Sequence, residues 1–169
     1  MDADTLVRRY QDSERDFACA SLPNAHLSRV TLSGVNLAGA DLSQADLSWS
    51  SLQRANLAGA RLAGANLSVA ALEGTILTAT DLQESNLSGA DLTGADLQEA
   101  DLRGARLDWA TLTDANLSRA NLSGATLVGV CFRNADLTEA DLTAADLTGA
   151  NLSAEQLAQC ASLADAKMD

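Results

Sequence analysis

The strongest constraint in this sequence is a five-residue period that runs without interruption from Arg15 to Ala154. Each unit has a large apolar residue at its centre, one every five residues from Phe17 to Leu152, and these 28 centres are 26 Leu and two Phe. Two residues before each centre, the 27 positions from Ala20 to Ala150 hold 20 Ala and otherwise only Val, Ser or Thr. A period of five matches neither an α-helix nor a β-strand, so neither element could bury every Leu. The pattern predicts a solenoid, in which units bury their apolar faces by stacking on one another.

The consensus of the unit points to a known family. The stretches Ala90-Asp91-Leu92-Thr93-Gly94 and Ala95-Asp96-Leu97-Gln98-Glu99 resemble the A(D/N)LxX motif of the pentapeptide-repeat family, and the resemblance covers about four-fifths of the chain. It implies an all-β fold, a right-handed quadrilateral β-helix with four units per coil and therefore about seven coils. At the β-ladder spacing of ~4.8 Å the rod would be roughly 34 Å long.

Both ends of such a stack need a cover, because open β edges invite edge-to-edge assembly. We expect residues 1–14 to form an N-terminal helical cap, residues 15–154 to form the pentapeptide-repeat β-helix, and residues 155–169 to form a C-terminal helical cap and tail. A homodimer through one of the terminal caps is a further expectation.

The C-terminal cap has its own sequence signal. Ser153 to Gln156 has the form of a capping box, and four residues follow it at helical spacing: Leu157, Cys160, Ala161 and Ala164. Residues 162–169 either continue this helix or contain a final strand, because Leu163 and Met168 are again five residues apart.

Three successive units place a hydroxyl at the small position: Thr75, Thr80 and Ser85. They predict a coil that is wider and more polar inside than the rest. The hydroxyls either bond to nearby backbone, as buried polar groups usually do, or mark a functional kink.

The net charge of −12 is unevenly distributed. Residues 17–80 hold three acids and three bases, whereas residues 81–150 hold twelve acids and four bases, a net charge of −8. Such a field repels nucleic acid and anionic membranes, so we expect no direct binding to either. It serves solubility alone or attracts a basic partner. The candidate acidic surface consists of Asp81, Glu84, Asp96, Asp101, Asp136 and Asp141.

Some charged residues fall in register for stacking on successive coils. An alternating ladder of ion pairs is expected among Glu99, Arg119 and Glu139. Asp81 and Asp101 would instead lie ~4.8 Å apart with like charge. Arg61 in the same column and Arg103 nearby are expected to relieve that repulsion.

The most distinctive outward residues are the two tryptophans. Trp49 and Trp109 are 60 residues apart, which is three coils of 20, so both fall on one face with Val69 and Gly89 between them. These four residues predict an exposed apolar groove walled by indoles ~14 Å apart. Exposed apolar patches mark binding surfaces and Trp is enriched at interface hot spots. The alternative is two unrelated surface tryptophans.

The sequence offers little for catalysis or for binding a cofactor or metal. His26 occupies an outward repeat position, and the regular Asp residues lack the Gly and bidentate Glu of a calcium loop. Cys19, Cys131 and Cys160 are odd in number and scattered, as is typical of reduced thiols in a cytoplasmic protein. No run approaches the ~20 apolar residues of a membrane span.

The sequence therefore predicts a cytoplasmic, non-enzymatic scaffold that presents a rigid surface to another protein. Its terminal segments resemble those of small cyanobacterial pentapeptide-repeat proteins. The alternative implied by the resemblance is a DNA mimic that binds a type II topoisomerase, gyrase, as in the quinolone-resistance members. Those members often carry loops that interrupt the repeat, and the repeat is uninterrupted here.

Overall fold

The β-helix is built from parallel pairing between residues one coil apart. A computed structural model describes residues 1–168. Its bridges join residues 20 apart along the chain, from Asp16–Asn36 to Thr126–Asp146. Within residues 1–168 the pairing consists of isolated bridges, each flanked by a turn, rather than extended strands. A coil of 20 residues contains four such bridges and four turns, which gives it four sides.

The core is a stack of Leu side chains along the axis. The repeat centres from Leu27 to Leu142 are at most 1% exposed, and Phe132 fits among them with no exposure. The small residues two positions before each centre are also buried wherever their coil has another coil on both sides. A fully buried Leu contributes roughly 1.5 to 3 kcal/mol, so the repeated centre is the main source of stability. The prediction of an inward Leu register and a β-helix is confirmed.

The hydroxyls at the small position of the three successive units are buried and bonded to the backbone. Thr75 and Thr80 donate to the carbonyl oxygens of Leu52 and Leu57 on the preceding coil, each at 2.9 Å. Ser85 donates to its own unit, to the carbonyl oxygen of Leu82 at 2.7 Å. These bonds satisfy the buried polar groups, and the bridges continue through this coil without a break.

Helix α1 spans Ala3–Gln11 and covers the first coil. Asp2 caps it by accepting from the Thr5 amide. Leu6 is fully buried against the core, and Val7 and Tyr10 pack beside it. The Tyr10 hydroxyl also donates to the Ser33 carbonyl oxygen at 2.8 Å. The helix thus closes the N-terminal end with both apolar contact and hydrogen bonding.

Helix α2 spans Ala154–Gln159 and begins with the expected capping box between Ser153 and Gln156. The Gln156 side-chain amide also donates to the carbonyl oxygens of Phe132 and Ala135, at 2.8 and 3.0 Å. One side chain therefore starts the helix and bonds to two carbonyl oxygens of the coil beneath it, of which the Phe132 oxygen also accepts from the Ala135 amide.

The helix is shorter than its apolar spacing suggested. It ends at Gln159, and Cys160 is already extended, with φ −65° and ψ 143°. Beyond it the chain rejoins the β-helix, where Ser162 pairs with Asp141 and Lys167 pairs with Asp146. Of the two alternatives for the tail, the pairing to the last coil is the correct one as far as residue 168. Asp169 lies outside the described residues.

Candidate partner-binding surfaces

The outermost residue of each unit is fixed by a tight turn. In the turn that holds Trp49, the Ser50 amide donates to the Leu47 carbonyl oxygen at 3.2 Å. The third residue of each turn has a positive φ, at every fifth position from Cys19 to Gly149. This is the left-handed conformation required by type II turns, and glycine adopts it at the least cost. All eleven glycines of the chain occupy this position.

The two tryptophans occupy such turn positions in one column along the rod. The column, called the tryptophan column below, consists of Arg29, Trp49, Val69, Gly89, Trp109, Gly129 and Gly149. Trp49 is 61% exposed, Val69 42% and Trp109 72%. The structure therefore places the four predicted residues in the expected register and on the outside.

The Trp109 ring leans toward the next coil rather than back toward Gly89. A Cβ built on Gly129 would fall 2.5 Å from both Cε3 and Cζ3 of Trp109. Val69 leans the same way, since a Cβ on Gly89 would lie 3.6 Å from its Cγ2. Gly129 thus provides the space in which the indole lies along the rod. The four predicted residues share one column, and the Trp109 indole extends from it over Gly129.

The six predicted acidic residues fall on two adjacent sides of the rod, called the acidic sides below. One side carries the ladder that contains Asp81, Asp101 and Asp141, and the preceding side carries the ladder with Asp96 and Asp136. Within residues 81–150 these two sides and their turns hold eight acids and two bases, net −6. The other two sides hold four acids and two bases, net −2.

The corner at which the two acidic sides meet lies diagonally opposite the tryptophan column. Glu99 occupies the turn that joins the acidic sides, and Trp109 follows two turns later on a coil with four turns. A single small partner would therefore contact one of the two surfaces, and they are separate candidate sites.

Ion pairs tie some of the acids to their neighbours. Arg119 lies 2.8 Å from Glu139 and 3.7 Å from Glu99, which is the expected alternating ladder. The side chains of Arg119, Glu99 and Glu139 are each more than half exposed, so solvent screens both pairs and they contribute little to stability.

The pairing around Asp81 differs from the prediction. Arg61 turns to the preceding coil and binds Asp41 at 2.5 Å, so it does not relieve the repulsion between Asp81 and Asp101. Arg103 does, because both its Nε and Nη2 donate to Asp101. Hydrogen bonding from Arg103 lowers the pKa of Asp101. Hydrogen bonding from the Ser43 hydroxyl and then from Arg61 lowers the pKa of Asp41.

The residues considered for other chemistry are dispersed. His26 is exposed and lies on the first coils, and the three cysteines are free. A hydrogen bond to Thr113 lowers the pKa of the Cys131 thiol, whereas burial raises the pKa of Cys160. Across residues 1–168, no cluster of three or more His, Cys, Asp or Glu residues could hold a metal ion. None of the helices in that range is long and apolar enough to cross a membrane.

One surface was missed by the sequence reasoning. The C-terminal end of the stack has an apolar hollow lined by Leu147, Ala150, Leu152, Leu157 and Met168. The five-residue spacing of Leu147 and Leu152 marks these residues as core, but the insertion of α2 leaves the last coil incomplete. The left-handed turn position was also missed, although its eleven glycines were a visible signal.

Comparison with known families supports the repeat assignment directly. The family profile described as Pentapeptide repeats, with eight copies, matches residues 16–48, 40–78, 75–114 and 115–153. The chain belongs to the pentapeptide-repeat family.

Several solved structures are similar to this pentapeptide-repeat chain. A pentapeptide repeat protein from the thylakoid lumen of Arabidopsis thaliana is 37% identical, over 77% of this chain and 73% of that one, with a TM-score of 0.47. HetL, a pentapeptide repeat protein involved in heterocyst differentiation regulation in the cyanobacterium Nostoc, is 30% identical over 99% and 94% of the two chains, with a TM-score of 0.31. QnrB1, a plasmid-mediated fluoroquinolone resistance protein, is 19% identical over 91% and 89%, with a TM-score of 0.37. Among curated proteins, none is significantly similar in sequence.

Proposed function

We propose that this protein is a non-enzymatic scaffold, a right-handed rod of about seven coils in the cytoplasm, that binds another protein through its tryptophan column. The observation that carries the proposal is the placement of Trp49, Val69 and Trp109. They are the bulky apolar residues found at the left-handed turn position, and all three lie in one of the four columns.

Stability does not account for these three side chains. An L-residue in the left-handed region costs roughly 1–2 kcal/mol, and a β-branched residue such as Val69 is a genuine outlier there, with φ 56°. Burial of these side chains offsets little of that backbone cost, because the three residues are 42–72% exposed. Trp side chains in an exposed apolar strip are the usual anchors of protein interfaces. Partner binding accounts for the placement of these exposed apolar side chains in a single column.

The test is capture of partners on immobilised protein from a lysate of the source organism. Three forms are compared: the wild type, the double variant Trp49→Ser/Trp109→Ser, and Ile76→Ser. Ile76 is also 42% exposed but lies on an acidic side, so it controls for general loss of surface apolarity. We expect a partner that is retained by the wild type and by Ile76→Ser and lost by the double variant. Retention of every partner by all three would refute the proposal.

A second candidate is a DNA mimic that binds gyrase, and the acidic sides favour it. Their net charge within residues 81–150 is −6 over two adjacent sides, and a surface that replaces a phosphate backbone requires such a concentration of negative charge. Purified protein titrated into a gyrase supercoiling assay at low salt tests this candidate, because screening is weakest there. Inhibition or protection that disappears on Asp101→Asn/Asp141→Asn would support it. No effect at micromolar protein would exclude it.

Homodimerisation through a terminal cap is also part of the proposal, and the apolar C-terminal hollow is the favoured place for it. Met168 is 47% exposed at its rim. Sedimentation of the wild type and of Met168→Asp distinguishes the outcomes. A dimer that the variant splits supports the C-terminal hollow, and a wild-type monomer at all concentrations refutes self-association.

A further inference from the structure

We propose that the apolar C-terminal hollow binds an extended segment of a partner protein in which an asparagine is followed by a leucine. The segment adds one repeat unit to the open side of the last coil. The coils beneath identify this occupant, because they show what pairs with a unit of this kind.

Each unit of the stack offers the next coil one backbone donor and one backbone acceptor. Lys167 in the tail uses both, since its carbonyl oxygen accepts from the Leu147 amide and its own amide donates to the Ala145 carbonyl oxygen, each at 2.8 Å. Asp146 makes the same two bonds to the coil beneath it. A single residue of the next coil therefore satisfies both backbone groups of a unit.

The unit centred on Leu152 has both of these groups open. Within residues 1–168, neither the Leu152 amide nor the Ala150 carbonyl oxygen has a hydrogen-bond partner, and both residues are partly exposed. Asn151 lies between them, is exposed, and has no ladder partner in the same range. Unpaired backbone groups at the edge of a β structure are the template on which a partner chain adds a strand.

The hollow beside these groups is shaped for a leucine. It has a volume of about 210 Å³, and its apolar lining includes Leu152, Leu157 and Met168. Met168 follows Lys167, which pairs with Asp146, so it occupies the next centre of the axial stack above Leu147. A leucine that follows the paired residue of a bound segment would take the corresponding centre above Leu152. Its burial against these side chains provides the hydrophobic contribution to binding.

The ladder side chains favour asparagine as the residue before that leucine. In four ladder contacts an asparagine amide donates to the side chain one coil earlier, at 2.9–3.4 Å: Asn36 to Asp16, Asn66 to Asp46, Asn86 to Asn66 and Asn116 to Asp96. The residue paired with this unit would stack on Asn151, whose Oδ1 accepts from the Phe132 amide and has a second lone pair. An asparagine there repeats the contact between Asn86 and Asn66.

The surroundings of the open side suit an extended segment better than a folded copy of this chain. Tail residues Ser162 and Lys167 already lie on two neighbouring sides of the last coil, and α2 covers the carbonyl oxygens of Phe132 and Ala135 on the remaining one. The open side is therefore a notch one layer deep. A second copy docked on the rim at Met168 would block this notch, so the two occupants exclude each other.

Titration of the ¹⁵N-labelled protein with a peptide copy of one of its own units tests the inference. The peptide Gly-Ala-Asn-Leu-Ser, the sequence of residues 64–68, is blocked at both ends. We expect millimolar peptide to shift the amide resonances of Leu152 and Met168. A peptide with Asp in place of Leu, or with N-methylasparagine, should bind at least about tenfold more weakly, since the first loses the apolar contact and the second the bond to Ala150.

Protein variants locate the site. Leu157→Asp places a charge on the wall of the hollow and should abolish the shifts, whereas Ile76→Ser and Trp49→Ser/Trp109→Ser should bind the peptide as the wild type does. Because the double tryptophan variant keeps the hollow, this result is independent of partner binding at the tryptophan column.

Three outcomes would overturn the inference. The first is no shift at Leu152 with millimolar peptide. The second is equal binding of the N-methylated peptide, which would exclude strand addition. The third is a Leu152 resonance that moves on dilution of the protein but not on addition of peptide, which would assign the hollow to a second copy.

Discussion

Gly124 and Gly129 form a matched pair that tests whether the Trp109 ring lies where the structure places it. They occupy successive turns of the same coil, with φ of 69° and 67°. A Cβ on Gly124 meets nothing within 4 Å, whereas a Cβ on Gly129 falls 2.5 Å from the Trp109 ring. Substitution of each by Ala therefore has the same backbone consequence and a different side-chain consequence.

The expected loss in free energy of unfolding has two contributions, one from the backbone conformation and one from the contact with the Trp109 ring. An Ala in the left-handed region costs roughly 1–2 kcal/mol, partly offset by about 0.4–1 kcal/mol from the smaller entropy of the unfolded chain. Gly124→Ala should thus destabilise by about 1 kcal/mol. Gly129→Ala must also displace an indole that is about a quarter buried, which adds roughly 1–2 kcal/mol at ~25 cal/mol per Å².

Urea unfolding followed by circular dichroism measures the difference in free energy of unfolding. We expect Gly129→Ala to be the less stable variant by about 1 kcal/mol or more, and acrylamide quenching of Trp109 to increase in it alone. In a Trp109→Ser background the two glycine substitutions should become equivalent. Equal destabilisation of the two variants in the wild-type background would refute the placement of the ring over Gly129.

Three further predictions concern the stack and its ends. Leu92→Asp should unfold the chain or several coils, because Leu92 is fully buried and an unpaired buried charge costs several kcal/mol; a cooperative wild-type-like melt would contradict the inward register. Gln156→Ala should lower the free energy of unfolding by about 1–2 kcal/mol in urea titration, because it removes the side-chain half of the capping box and leaves the Ala135 carbonyl oxygen unpaired; an unchanged midpoint would contradict that role. Hydrogen bonds from the hydroxyl and the amide of Thr148, and then from Lys167 in the tail, lower the pKa of Asp146 from 3.8 to about 2, so the stability that these bonds contribute is complete above pH 4 and is lost as pH falls toward 2. After correction for intrinsic exchange rates, hydrogen exchange at the Lys167 amide should accelerate as pH falls over that range in the wild type. In Asp146→Asn the corrected exchange rate should not change over the same range.

The fold was predictable because one pattern repeats at every level. A single period places Leu92 inside, Asp91 in the ladder and Gly94 in the turn, and each of the other units repeats that assignment. The period also fixes which residues share a column, so the register of Trp49 with Trp109 followed from counting alone.

The remainder depends on side-chain direction and on interruptions of the period. Arg61 can reach either neighbouring coil, and only the structure shows that it pairs with Asp41. The lean of Trp109 over Gly129 depends on a missing Cβ one coil away, which no local pattern reports. The end of α2 at Gln159 could not be fixed from the sequence, because Cys160 continues the apolar spacing although the tail pairs with the last coil.

The most direct test of partner binding at the tryptophan column uses the fact that the chain contains only two tryptophans. Protein labelled with 5-fluorotryptophan gives two ¹⁹F resonances, assigned through Trp49→Phe and Trp109→Phe. The captured partner, itself unlabelled, is then titrated into the sample. Both resonances should shift or broaden as the complex forms, with saturation at the same partner concentration. A complex that forms at the same affinity while both resonances stay in place would contradict this prediction.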